Sequence, residues 1–213
     1  MEAHQPNPVY RAAWYLARFL LHLLFGYRAE GVENVPREGP IILASNHLSI
    51  LDPIAIGAGV RRPVSFLARA DVFRLPLLSW LLPRLYAIPV ERGQSDLSAI
   101  KSAIRALEKG MAFGIFPEGT RSRTGKLGPF KTGMAAIALR TGSPVVPVAI
   151  VGADQTWPVG RKLFRLRRPI RVIYGKPIPV PRAAKISHQE LEALTQEIEA
   201  KIRELLPPQY RQS

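Results

Sequence analysis

A histidine and an aspartate five residues apart, His47 and Asp52, are the first pair in the chain that could do proton chemistry. His47 directly follows an apolar run at 40–45 that is typical of a buried strand, and α/β folds place their sites just past strand ends. Across a turn, Asp52 could accept the Nδ1 proton of His47 and make Nε2 a better base. A lone histidine is more often structural, so the pair needs support from the rest of the chain.

A second cluster, FPEGTRS at 116–122, also follows a predicted strand and has the composition of an anion-binding loop. Gly119 permits unusual backbone angles, and Arg121 with exposed amides could hold a phosphate. Lys131 stands at the start of the next predicted helix, whose N-terminus would add to an anion site. Arg92 directly follows another strand. A charged surface turn has the same composition, so this cluster alone leaves phosphate binding open.

The elements that must hold these residues alternate between strands and helices. Apolar runs predict strands at 40–45, 64–68, 86–90, 111–116, 143–152 and 168–175. Amphipathic or capped segments predict helices at 52–60, 95–109, 132–142 and 187–206. Pro147 inside a strand predicts a sheet edge or a bulge there. The alternation predicts a single-domain α/β layered fold with a mostly parallel central sheet and helices on both faces.

Residues 9–27 predict a further, N-terminal helix with one polar stripe: Arg11, Tyr15, Arg18, His22. A membrane-spanning helix would bury Arg18 at mid-span, at about 2.5–3.5 kcal/mol. We therefore expect an amphipathic helix on the membrane surface, with the arginines at the headgroups and Trp14 and Phe19 in the acyl boundary. The alternative is a helix packed on its own domain. The predicted organisation is a membrane-surface helix at 1–29 and one domain at 30–213.

The composition narrows the partners and the chemistry. A net charge of +14 favours anionic partners, namely anionic lipid, phosphorylated substrates or nucleic acid. A nucleic-acid binder is disfavoured because no aromatic residues are interleaved with the basic ones and no recognition-helix module is evident. The absence of cysteine excludes disulfides, thiolate metal ligands and a cysteine nucleophile. Four scattered histidines make no ligand cluster, so no metal is expected.

Taken together, the motifs resemble the glycerolipid acyltransferase family, whose best-known members are the 1-acylglycerol-3-phosphate acyltransferases. Four blocks match in the family's order over roughly residues 30–180: NHLSILD, IPVERG, FPEGTRS and VVPVAI. The third block matches at every position, and the first becomes specific beside it. One small departure is Ala87, which stands where many members have glycine.

The resemblance implies a role for each matched residue. His47 would be the general base and Asp52 would orient it. Arg92, Gly119 and Arg121 would hold the acceptor's phosphate, and Thr120 and Lys131 are expected to bind substrate with them. Glu118 would order the loop or bind the glycerol moiety. Pro147 would shape the acyl-donor side.

The resemblance also implies an activity: transfer of a fatty acyl group from coenzyme A or acyl carrier protein to 1-acylglycerol-3-phosphate, giving phosphatidic acid for phospholipid biosynthesis. No cofactor is expected besides the thioester co-substrate. The expected setting is a monomer on the cytoplasmic face of the cell membrane, peripheral or monotopic. Alternatives are acylation of another lysolipid, such as lyso-ornithine lipid, or a non-catalytic basic protein that binds lipid or nucleic acid. The apolar segment 72–85 is expected to line an acyl-chain channel or to be core, and the basic run 161–171 to contact anionic headgroups or to be a solvated face.

Overall fold

The computed structural model describes residues 6–91, 96–161 and 163–211. Within them, seven strands form one sheet. The strands are Arg28–Glu30 (β1), Ile41–Ser45 (β2), Val64–Arg69 (β3), Ile88–Val90 (β4), Ala112–Ile115 (β5), Val145–Val151 (β6) and Arg171–Tyr174 (β7). Their order across the sheet is β1-β7-β6-β2-β5-β3-β4, and the neighbours run parallel except for β6 and β7. The mostly parallel α/β fold predicted from the sequence is confirmed.

Two groups of helices cover the sheet. The helices are Pro8–Phe25 (α1), Asp52–Gly59 (α2), Pro76–Arg84 (α3), Asp96–Glu108 (α4), Gly133–Thr141 (α5), Ala153–Thr156 (α6) and His188–Leu205 (α7). α4, α5 and α7 contact one another, whereas α1 and α2 contact each other. The central strand β2 is buried along its whole length, which requires cover on both faces of the sheet. A capping box of Ser187 and Glu190 opens α7.

The N-terminal helix α1 begins at an Asn7 cap and ends at Gly26, whose φ is 56°. One face of α1 packs on α2, and the outward face exposes apolar side chains: Tyr15, Leu16, Phe19, Leu20 and Leu23. None of the described helices is long and apolar enough to cross a membrane. The predicted placement of Trp14 in the acyl boundary and Arg18 at the headgroups is wrong, because both side chains bind the backbone of α2.

Those contacts complete the C-terminal end of α2, where the last four carbonyls of a helix lack partners within it. The Trp14 Nε1–H donates to the carbonyls of Gly57 and Val60 at 3.1 and 2.9 Å. Arg18 Nη1 donates to Ala58 at 3.0 Å. From the other side, the Tyr27 hydroxyl donates to Ala55 at 2.7 Å, and the Tyr174 hydroxyl donates to Ile56 at 2.6 Å. α2 is therefore fixed to its neighbours through its backbone.

The prediction that Pro147 marks a sheet edge is wrong. β6 lies inside the sheet, between β2 and β7. The Pro147 carbonyl accepts the Gly175 N–H at 2.8 Å, but proline has no N–H to return the second bond of that pair. Pro147 therefore lies opposite Gly175, one residue beyond the end of β7 at Tyr174, so its missing N–H interrupts no bond within β7.

The apolar segment at 72–85 is not core, because none of its residues in α3 is buried. Leu77 and Trp80 are 71% and 50% exposed. α3 therefore presents an apolar surface, and a role beside an acyl chain stays a prediction.

Candidate active site

His47 lies two residues after β2, in the turn that leads into α2. Its Nδ1 is 2.8 Å from Oδ2 of Asp52, the first residue of α2. The same oxygen accepts the backbone N–H groups of Leu48 and Ser49 at 2.6 and 2.8 Å. Because the carboxylate accepts the Nδ1 proton, the Nε2 lone pair is the one available to a substrate. The five-residue spacing thus brings the predicted pair together.

Asp52 is fully buried, and burial raises the pKa of its carboxyl group, while the hydrogen bonds from His47 and the two backbone amides oppose that shift. The second carboxylate oxygen, Oδ1, is buried and has no hydrogen-bond partner among the described residues. The hydrogen bonds that Asp52 accepts from these groups therefore all fall on the oxygen that faces His47.

The His47 ring stacks on Phe116, with the ring centroids 3.9 Å apart and the planes 13° from parallel. Its side chain is 18% exposed. The ring is thus held on one edge by Asp52 and on one face by Phe116. No role for Phe116 was predicted from the sequence, although this residue is the first of the FPEGTRS block.

Glu118 joins the two predicted clusters. Its Oε1 accepts the His47 N–H at 2.8 Å, and its Oε2 accepts the Gly128 N–H at 2.9 Å. Burial raises the pKa of the Glu118 carboxyl group, and these two backbone bonds oppose the shift. Both oxygens bind backbone, so this geometry favours the loop-ordering role; a contact with glycerol stays a prediction.

The loop at 117–131 presents its basic residues to solvent beside His47. Gly119 has a φ of +70°, which favours glycine. The Ser122 N–H donates to the His47 carbonyl at 2.7 Å, which places the exposed Arg121 next to the turn that carries His47. The Lys131 side chain lies against Gly119, since a Cβ there would be 3.4 Å from Lys131 Nζ. Thr120 is also exposed on this loop.

Arg92 lies outside the described residues, so its contact with the acceptor stays a prediction. β4 ends at Val90, two residues before it. Pro147 is buried in β6, and its effect on the acyl-donor side stays a prediction as well.

Two supports of the turn that carries His47 were not predicted from the sequence. Asn46 bridges to β6: its Nδ2 donates to the Ile150 carbonyl at 3.0 Å, and its Oδ1 accepts the Ile150 N–H at 2.8 Å. The Ser49 hydroxyl is fully buried and donates to the Trp157 carbonyl at 3.0 Å. The position of Asn46 directly before His47 was the available signal. Across the described ranges, no group of three histidine or acidic side chains could hold a metal ion.

A family model described as Acyltransferase matches residues 27–151, which include every predicted site residue that the structure describes. The chain belongs to the acyltransferase family. The acyltransferase match ends at the last residue of β6, so α1, β7, α7 and the C-terminal segment lie outside it.

Similar proteins are named as acyltransferases that act on a specific acceptor. A 1-acyl-sn-glycerol-3-phosphate acyltransferase of Bacillus subtilis is 30% identical over 190 residues, which cover 88% of this chain and 92% of that protein. A chloroplastic 1-acyl-sn-glycerol-3-phosphate acyltransferase of Brassica napus is 34% identical over 70% of this chain and 44% of its own length. The chain spans about half the length of the plant relatives that it matches.

A solved acyltransferase structure shares the fold. The crystal structure of the 1-acyl-sn-glycerophosphate acyltransferase PlsC from Thermotoga maritima superposes with a TM-score of 0.76 at 29% sequence identity, over 92% of this chain and 79% of that one. The likeness therefore extends beyond the span of the family model to nearly the whole chain.

Proposed function

We propose that this acyltransferase transfers a fatty acyl group from a thioester to the free hydroxyl of 1-acyl-sn-glycerol-3-phosphate, giving phosphatidic acid. The observation that carries the proposal is the His47–Asp52 pair joined by Glu118 to a basic loop. The names of the Bacillus and Thermotoga relatives support the choice of acceptor. The donor would be acyl-CoA or acyl-acyl carrier protein.

In the proposed reaction, His47 Nε2 takes the proton of the acceptor hydroxyl as its oxygen attacks the thioester carbonyl. The new C–O ester bond forms, the C–S bond breaks, and the departing thiolate takes the proton from the imidazolium. Asp52 stabilises that imidazolium. A positioned base of this kind contributes about 10²–10⁴-fold to the rate.

Transfer is direct in this proposal, with no acyl-enzyme. The nearest hydroxyl in sequence, that of Ser49, is buried and donates to the Trp157 carbonyl, and the chain has no cysteine. The acceptor's phosphate would bind Arg121 and Lys131 on the loop beside His47, with Arg92 as a third partner. Holding the acceptor by its phosphate makes the attack nearly unimolecular.

The test is acyl transfer by purified protein with lysophosphatidic acid, lysophosphatidylcholine and lyso-ornithine lipid, each with acyl-CoA and with acyl-acyl carrier protein. We expect lysophosphatidic acid to be the best acceptor and His47→Ala to lose about 10²–10⁴-fold in rate. A matched control is His188→Ala, because His188 also pairs with a carboxylate, Glu192 at 3.0 Å, but on the exposed surface of α7. Absence of transfer to every lysolipid would overturn the proposal, and full activity of His47→Ala would overturn the assignment of the base.

We also propose that the outward face of α1 rests on an anionic membrane, as a peripheral attachment on the cytoplasmic side. Leu16, Phe19 and Leu23 are each more than half exposed on that face. The segment 163–168 adjoins it: Phe164 packs edge-on against Phe25 at 5.6 Å, and the Arg167 N–H donates to the Leu24 carbonyl at 2.9 Å.

That segment combines exposed apolar side chains with positive charge. Leu163 and Leu166 are 79% and 56% exposed, and Arg165, Arg167 and Arg168 are exposed beside them. Apolar side chains in the acyl boundary and arginines at the headgroups suit an anionic bilayer surface.

Co-sedimentation with vesicles tests the membrane surface. We expect the triple variant Leu16→Ser, Phe19→Ser, Leu23→Ser to lose binding to phosphatidylglycerol-containing vesicles. Leu97→Ser is the control, because Leu97 is 63% exposed on α4, a helix that makes its contacts with the other group. Equal binding of the triple variant and the wild type would overturn this placement.

A further inference from the structure

The chain returns to the active-site loop after its last long helix. Residues Pro208–Tyr210 form a 3-10 turn that follows α7, and Tyr210 is 4% exposed. The Tyr210 carbonyl accepts the N–H of Leu127, in the middle of loop 117–131, at 2.9 Å. Leu127 is itself 5% exposed. A residue close to the chain's end is thus bonded to the backbone of the loop that carries Arg121.

The side chain of Tyr210 fixes the turn to the segment that follows β6. Its hydroxyl donates to Asp154 Oδ1 at 3.0 Å and accepts the Gly152 N–H at 3.1 Å, just past β6. Burial raises the pKa of Tyr210, so the hydroxyl keeps the proton that it donates. Asp154 also lies beside the loop, since a Cβ on Gly125 would be 3.2 Å from its Oδ2.

The loop residue that follows Leu127 is linked by hydrogen bonds to the turn that carries His47. The next residue, Gly128, donates its N–H to Glu118, and the other oxygen of Glu118 accepts the His47 N–H. Hydrogen bonds therefore run from β6 through Tyr210, the loop and Glu118 to His47. Tyr210, Gly152 and Asp154 all lie outside the span of the family model.

We propose that Tyr210 is a positioning residue that holds loop 117–131 in place for the acceptor's phosphate. Tyr210 acts through the loop, without touching the substrate. The identity of the acceptor rests on the proposed function. The positioning of the loop rests on the hydrogen bonds at Tyr210.

Steady-state kinetics of Tyr210→Phe test the role. The substitution removes the two hydroxyl bonds and keeps the ring, so we expect the KM for lysophosphatidic acid to rise by about 3- to 10-fold. The KM for the thioester and kcat should change by less than about 2-fold. Tyr10→Phe is the matched control, because Tyr10 is also buried and donates to a carbonyl, that of Arg62, away from the loop. The control should leave both KM values unchanged. Equal KM values for Tyr210→Phe and wild type would overturn the proposal.

Amide hydrogen exchange gives a readout that needs no activity. Peptides covering 117–131 should exchange faster in Tyr210→Phe than in wild type or Tyr10→Phe, with the largest change at Leu127 and Gly128. If Tyr210→Phe fails to fold, Asp154→Ala removes one of the two hydroxyl bonds and leaves the one from Gly152, and exchange in 117–131 should rise in the same direction. Faster exchange in a protein that acylates no lysolipid would support the loop contact and reject the proposed function. Unchanged exchange in an active enzyme would reject the positioning role of Tyr210 and support the proposed function.

Discussion

Three N–H groups converge on one oxygen of Asp52, and one of them belongs to the ring of His47. Replacing Asp52 by asparagine keeps a similar shape but removes the charge that would stabilise the imidazolium in the proposed reaction. We expect Asp52→Asn to lower kcat by about 10²–10⁴-fold, with a much smaller change in the KM of either substrate. Initial rates across both substrate concentrations measure the two constants separately. A variant with wild-type kcat would leave Asp52 as a purely structural residue of the turn.

Glu118 gives a pH-dependent stability that can be isolated by substitution. Its pKa lies above the ordinary value of 4.5 because burial disfavours the charge. The unfolded chain therefore releases this proton at lower pH than the folded protein does. In that range the folded state binds more protons, so the contribution of Glu118 to the free energy of unfolding falls as pH rises. Glu118→Gln cannot titrate and should gain stability relative to wild type from pH 4.5 towards neutrality.

Denaturant unfolding of both proteins at several pH values checks this sign. Glu190→Gln is a useful contrast, because hydrogen bonds from Ser187 lower the pKa of Glu190. Its relative stability should change with the opposite sign, since the contribution of Glu190 is lost as pH falls. Parallel curves for wild type and Glu118→Gln would contradict the prediction.

At this scale the sequence predicted which residues meet but not what holds them. His47 and Asp52 are close in sequence, so one turn brings them together and the spacing was informative. The bonds of Asn46 to Ile150 and of Glu118 to His47 join residues 104 and 71 positions apart. Such contacts follow from the order of the strands, which local spacing does not reveal. Arg92 could be proposed only from the resemblance.

Among the elements, α1 was predicted as a helix, but Trp14 and Arg18 were wrongly assigned to the membrane surface. Apolar residues cover most of its surface, so periodicity alone did not distinguish the buried side. The deciding interactions are hydrogen bonds from Trp14 and Arg18 to carbonyls at the end of α2. Those acceptors belong to the backbone and leave no trace in the sequence of α2.

The contact between α1 and α2 should be measurable as stability. Trp14→Phe keeps an aromatic ring but leaves the carbonyls of Gly57 and Val60 without this donor. We expect the free energy of unfolding to fall by about 1–3 kcal/mol. Trp80→Phe on α3 is the control, since Trp80 is half exposed and should cost far less. Chemical denaturation followed by circular dichroism compares the two, and equal losses would argue against a special role for the α1–α2 contact.

For the whole molecule, alternation of strands and helices was sufficient to predict the fold class. It was not sufficient for the order or the direction of the strands. β7 pairs antiparallel with β6, and β6, which contains Pro147, lies inside the sheet between β2 and β7. The three-residue strand β1 was missed, because its sequence RAE lacks the apolar run that predicted the equally short β4. Both features depend on pairing between distant parts of the chain.

The net charge of +14 predicts how membrane binding should respond to salt. Raising sodium chloride from about 0.1 to 1 M shortens the Debye length from about 10 to 3 Å. Binding to phosphatidylglycerol-containing vesicles should therefore weaken strongly, whereas the weaker binding to purely zwitterionic vesicles should change little. Co-sedimentation at the two salt concentrations measures both. Salt-independent binding to the anionic vesicles would mean that the apolar face of α1 acts without the surrounding arginines.

Every bond that fixes Trp14, Arg18, Tyr27 and Tyr174 to α2 ends on a main-chain oxygen. The joint therefore uses no side-chain atom of α2, although it requires glycine at position 59, where a Cβ would lie 2.3 Å from the Tyr174 hydroxyl oxygen and 2.8 Å from that of Tyr27. Ile50 and Ile54, which are exposed around the His47 end of that helix, can be exchanged without removing any of these bonds. Substitutions at these two positions should therefore change the surface beside His47 while the support of α2 stays intact.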